Sequence, residues 1–231
     1  MKKVSSYQWF LIVVFLTFWV WVAINPLFRH DWLLENYLVF IFVPLLLILG
    51  IYFRLSNVSY TLITVFMILH VIGSHYTYAE VPFGYLLQTW FGATRNMYDR
   101  LVHFSFGFLL AYPIREVFMR LSKTKGFWSF WFPIELVLAF SAVYEIIEWI
   151  TALGVDPVAG LAFLGAQGDV WDAQKDMLVA GIGAVVAMAI TFFIRLRYDE
   201  NLWSEFKESF HAHRRDAPLG EVKLQKLRHH R

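Results

Sequence analysis

The chain contains no cysteine, and only 16% of its 231 residues are charged. The first absence removes disulfides, thiolate metal sites and cysteine nucleophiles together, and it leaves the redox compartment open. The second removes the polar shell that a water-soluble chain of this size needs, because soluble domains are about a quarter charged. A net charge of only +2 gives no footprint for nucleic acid. There is no internal repeat and no low-complexity tract, which speaks against an inverted-repeat transporter. No glycine-rich phosphate loop precedes a helix in the required strand context, so no nucleotide motif is present. What remains is apolar: 58% of the residues are hydrophobic and 19% aromatic. These proportions exclude disorder and point to an integral membrane protein.

A bilayer core of roughly 30 Å needs about 20 apolar residues per helix. The sequence predicts six such helices, over about Tyr7–Ile24, Tyr37–Phe53, Val58–Tyr78, Tyr98–Phe118, Phe127–Ile150 and Trp171–Ile194. The first is too long for a secretory leader and lacks a small-x-small cleavage site, so it reads as a retained span. Sixteen of the 20 basic residues fall on one side of this topology. Arg29, Arg95, Arg100 and Lys175 are the four on the other. The excess of lysine and arginine predicts that both termini are cytoplasmic. The expected fold is therefore all-α: a polytopic six-helix transmembrane bundle over residues 1–197, followed by a basic, partly helical cytoplasmic tail over 198–231.

This topology carries ionisable residues from separate helices to one depth near the outer leaflet. Helix three brings His70 and His75, and helix four begins with Asp99 and His103. Helix five ends with Glu145 and Glu148, and helix six opens with Asp169, Asp172 and Asp176. Asp99 and His103 are four apart and share a face, as do the two glutamates three apart. The three aspartates follow at i, i+3 and i+7 on one stripe. Acids inside a membrane cost several kcal/mol unless paired, so they face the interior and mark function.

Asp169 or Asp172 could cap helix six at its N-terminus. Capping does not explain Glu145 and Glu148, which sit at a helix C-terminus where the macrodipole disfavours negative charge. Asp99 could form interfacial ion pairs with Arg95 or Arg100. Glu135 is expected to pair with Arg115 or Arg120 on the inner side. Oxygen and nitrogen donors without thiolate suit magnesium, manganese, calcium, iron or zinc. The candidate metal ligands are Asp99, His103, Glu145, Glu148, Asp172 and Asp176. The candidate catalytic residues are Asp99, His103, Glu145, Glu148 and Asp169, with His75 or a spare carboxylate as general base.

Small residues from Ala180 to Ala189, with Gly107, predict a close helix–helix contact. Residues 80–97 read as an aromatic interfacial segment. Residues 151–168 read as a re-entrant or surface helix shielding the site.

The segments from His70 to Val81, Tyr98-Asp-Arg-Leu-Val-His-Phe-Ser-Phe-Gly, Tyr144-Glu-Ile-Ile-Glu-Trp and Gln167-Gly-Asp-Val-Trp-Asp-Ala-Gln-Lys-Asp-Met together resemble the YjdF-like inner membrane proteins. That is a bacterial family of unassigned function, and the likeness covers about residues 7–197. It implies a polytopic plasma-membrane protein and brings no activity. A looser likeness runs to the VanZ-like membrane proteins, which show glutamate–glutamine at the Glu145–Glu148 position and asparagine near Asp176. Three functions fit these residues. The foremost is a metal-dependent hydrolase or transferase acting on a lipid or lipid-linked substrate at the outer leaflet. The others are a small-solute or proton-coupled transporter and a non-catalytic membrane scaffold.

Overall fold

The computed structural model describes residues 4–52, 54–155, 160 and 163–211. Eight helices and no strands occur among them: α1 Ser6–Ala23, α2 Arg29–Tyr52, α3 Asn57–His75, α4 Pro82–Phe91, α5 Tyr98–Ser122, α6 Trp128–Leu153, α7 Asp172–Tyr198 and α8 Leu202–Glu208. Six of these, all but α4 and α8, are long and apolar enough to cross a membrane. The proposed tail falls outside the described residues from 212 onward, as do 156–159, 161 and 162 of the predicted shielding segment.

The helix ends follow local chemistry. Ser5 and Gln8 form a reciprocal capping box at the start of α1, with the Ser5 hydroxyl accepting from the Gln8 N–H at 3.2 Å. Ser56 caps α3, and its own N–H donates to Glu116 of α5 at 2.8 Å. Pro82 opens α4 and left-handed Gly92 closes it, which makes a short helix of the predicted aromatic interfacial segment. Two boundaries differ from the hydropathy reading in an informative way. Helix α2 begins at Arg29 rather than Tyr37, because Arg29 satisfies the Ala23 carbonyl and lies over the Trp32 ring. This extension puts Glu35 inside a helix, 6% exposed. Helix α3 stops at His75 rather than Tyr78, because Thr77 and Tyr78 turn left-handed at φ 56° and 53°. Tyr78 then folds back with its N–H on the Gly73 carbonyl at 2.9 Å.

Helix α5 is the centre of the bundle, packed by α3, α6 and α7. Its contact with α7 is backbone on backbone. A Cβ added at Gly107 would lie 1.8 Å from the Ala180 carbonyl oxygen, and one at Gly183 would lie 2.3 Å from that of Phe104. Glycine is the residue that allows both approaches. Ala180 and Ala184 are fully buried in this seam. Large apolar side chains such as Phe10, Ile41, Trp149 and Phe193 cover the outer faces, where lipid is the compatible solvent.

The ends of the bundle sort by chemistry. At one end, Tyr7 of α1 meets Thr61 of α3, Glu116 binds Ser56, Ser59 and Arg120, and Ser209 accepts from Trp128. The opposite end holds the ionisable residues described next.

Candidate functional site

Three helices and two connections build the site. The first turns of α5 place Asp99 and His103 on one face, and the first turns of α7 place Asp172 and Asp176 opposite them across the glycine seam. The last turns of α6 bring Glu145 alongside. Two arginines tie these acids together. Arg100 reaches across to α7, where its guanidinium pairs with Asp176 and, at 2.6 Å, with Asp172. Arg95, in the connection before α5, pairs with Asp172 and, at 3.2 Å, with Asp99. Arg95 also donates to the Gly165 carbonyl at 3.0 Å, so it clamps the segment preceding α7. Asn96 and Gln167 reinforce that clamp by exchanging backbone and side-chain hydrogen bonds at 2.9 and 3.3 Å.

Charge-assisted forks of this kind hold a carboxylate in one orientation. Each arginine occupies one oxygen of a carboxylate and leaves the other to face inward. Asp176 has an oxygen that is buried and unpartnered, and so does Glu145. His103 Nε2 stands 3.5 Å from Asp99 Oδ1 and 3.7 Å from Glu145 Oε1, too far for a good hydrogen bond. One donor atom from each of Asp99, His103 and Asp176 lies within 4.8 Å of the others. Around a tetrahedral ion with bonds of roughly 2.1 Å, neighbouring donors are separated by about 3.4 Å. The His103–Asp99 separation of 3.5 Å is close to that spacing. Asp99, Asp169, Asp172 and Asp176 share two guanidiniums and the Lys175 ammonium, so with Glu145 ionised these five acids keep two excess negative charges, which one divalent cation would balance.

The remaining candidates separate from this centre. Asp172 is consumed by the two arginines. Asp169 lies nearer the surface, where Lys175 pairs with it at 2.7 Å and the Trp171 N–H donates to it at 3.1 Å, and Arg100 reaches it from the centre at 3.3 Å. These contacts, the Lys175 ammonium first, hold the Asp169 carboxyl below the usual aspartate range. Glu148 points from α6 into a cavity and forms no ion pair among the described residues. His75 donates from Nδ1 to the Val22 carbonyl at 2.7 Å, which ties it to the end of α1 and away from the acids. His70 donates from Nε2 to the Glu35 carbonyl at 3.2 Å, so its Nδ1 accepts from the Tyr78 hydroxyl at 2.5 Å.

The expected pairing of Glu135 is not made. Glu135 is exposed on α6, while Arg115 binds Ser129 and lies over Phe130, and Arg120 pairs with Glu116. Glu135 points outward on the helix, toward neither arginine.

A cavity of about 520 Å³ opens beside the acids. Asp99, His103, Tyr144 and Glu148 line its polar end, and leucine and phenylalanine side chains of α2, α3, α5 and α6 line the rest. Glu35 belongs to this wall and accepts from the Tyr144 hydroxyl at 3.3 Å. Glu35 lies just outside the second span that hydropathy predicts, so composition alone gives it no role. The available signal was its neighbour: Asn36 between two aromatic runs is fully buried, hydrogen-bonded to Trp19 and Trp32.

Residues 7–197 match the family described as "Predicted membrane protein (DUF2238)". The chain is 40% identical over 170 residues to the inner membrane protein YjdF of Escherichia coli (strain K12), covering 73% of this chain and 81% of that protein. No solved structure matches. With six membrane-length helices and this match over most of its length, the chain belongs to the DUF2238 family and is a multi-pass inner membrane protein.

Proposed function

We propose that the protein is a metal-dependent hydrolase or transferase acting on a lipid or lipid-linked substrate. The observation that carries this reading is the convergence of Asp99, His103 and Asp176, with one Asp176 oxygen buried and unpartnered, at the polar end of an apolar cavity. Three protein ligands with an open fourth position are what hydrolytic metal centres use. One nitrogen and two carboxylates, without thiolate, favour zinc, manganese or iron. When bound, such an ion would polarise a substrate oxygen and lower the pKa of a water molecule.

The chain's own residues divide the remaining work. Arg95 and Arg100 orient the ligating carboxylates through their outer oxygens, as partners behind metal ligands do elsewhere. Glu145, beside His103 with a free oxygen, accepts the proton from an attacking water. The apolar cavity holds the lipid chain and excludes bulk water. The excess of basic residues on one side supports cytoplasmic termini, with this end of the bundle at the outer leaflet.

Metal analysis of the purified full-length chain tests the proposal. The expected result is stoichiometric zinc, manganese or iron, lost in His103→Ala and Asp176→Asn. Thermal unfolding should rise when metal is restored to the chelated wild type and not to the variants. A wild-type chain that retains no metal and gains no stability from any of the three overturns it.

A further inference from the structure

The cavity wall has a charge pattern that the metal centre does not use. Glu35, Asp99 and Glu148 all line its polar end, and no lysine or arginine among the described residues does. Arg95 serves Asp99, which leaves Glu35 and Glu148 without a cation. Glu35 is 6% exposed, and Tyr144 is the hydrogen-bonding side chain that reaches it. Carboxylates facing apolar space without a positive partner are costly, and an ammonium group supplies both the charge and three donors. A phosphate head would face repulsion from the three carboxylates on this wall.

The route of entry is also visible. Helix α2 packs on α3 but does not pack along α6. At the acidic end a hydrogen bond from Tyr144 to Glu35 joins α2 to α6. The cavity behind that bond is of the size that holds one mid-sized ligand.

We propose that this cavity binds an amphiphile with one long apolar chain and a protonated amine head, admitted from the bilayer between α2 and α6. The head lies between Glu35 and Glu148 and the chain runs along the leucine and phenylalanine wall. Tyr144 is the latch that the head displaces from Glu35. The site shares its cavity with the proposed substrate but needs no metal.

Native mass spectrometry on the EDTA-treated full chain measures retention of hexadecylamine, hexadecanol and hexadecyl phosphate. The amine should be retained at concentrations on the order of tenfold lower than the other two. In Glu35→Gln/Glu148→Gln, shown to be folded by its unfolding profile, the amine should bind no better than the alcohol. Leu46→Trp, which fills the apolar wall while sparing the acids, should weaken binding of the amine and the alcohol together. Amine preference in a chain that never retains metal supports this proposal while removing the metal reading. Equal retention of all three probes, preference for the phosphate, or amine binding untouched by Leu46→Trp overturns it.

Discussion

Arg100 and Asp176 pair across the seam between α5 and α7, with the two side chains only 9% and 3% exposed. The pair stands about one helical turn from Phe104 and Ala180, where the two backbones meet, so charge and packing constrain one another. Removing one partner leaves a buried, uncompensated charge, which typically costs about 3–5 kcal/mol.

Arg100→Gln should therefore destabilise the chain by about 3–5 kcal/mol in a detergent unfolding assay. Arg100→Lys should recover little of that loss, because an ammonium cannot fork between Asp172 and Asp176. Full stability in the glutamine variant would show that the pair contributes nothing to the fold.

The glycine seam gives a second expectation. Gly107→Ala must displace the α7 backbone at Ala180, which a flexible side chain cannot relieve. Overpacking of this kind costs about 1–3 kcal/mol. Gly92→Ala meets open space but sits at φ +60°, so its loss arises from the backbone alone. Comparing the two by unfolding temperature, the Gly107 variant should also lose bound metal, since the same seam aligns Asp99 with Asp176. Retention of metal in a folded Gly107→Ala chain would contradict this.

Asp169 supplies a pH dependence. Its carboxyl is held below the ordinary aspartate value of 3.8 by Lys175 and the Trp171 N–H. A group with a lowered folded pKa adds stability above its unfolded value, and that stability is lost as pH falls through the folded value. The wild type should therefore unfold at a slightly higher temperature than Asp169→Asn at neutral pH. The gap should close as the pH drops below 3.8. A gap that persists at low pH would mean that the side chain acts by shape and not by charge.

The spans, and the meeting of Asp99, His103, Glu145 and Asp176, were legible because hydropathy and helix parity are local and additive. An even number of crossings determines which residues share a depth. Which carboxylate takes which arginine was not legible. Arg95 does pair with Asp99, as expected, but Arg95 and Arg100 also reach residues on α7 more than 70 positions away. Such pairing depends on the rotation of α5 against α7, which the glycine seam sets and no periodicity reports. His75 was misplaced for a related reason: its depth was read correctly, but its helix face turns toward α1. The return of Tyr78 over Gly73 depends on two left-handed residues, Thr77 and Tyr78, that carry no glycine signal.

The attachment of α2 to α1 and α3, with a hydrogen-bond latch to α6, has a mechanical consequence. A panel held along α1 and α3 and latched to α6 by a hydrogen bond yields on its α6 side first when surrounding lipid changes its lateral pressure. Shifts in membrane thickness or fluidity would then be felt first where Glu35 faces Tyr144, while the α5–α7 pair stays rigid.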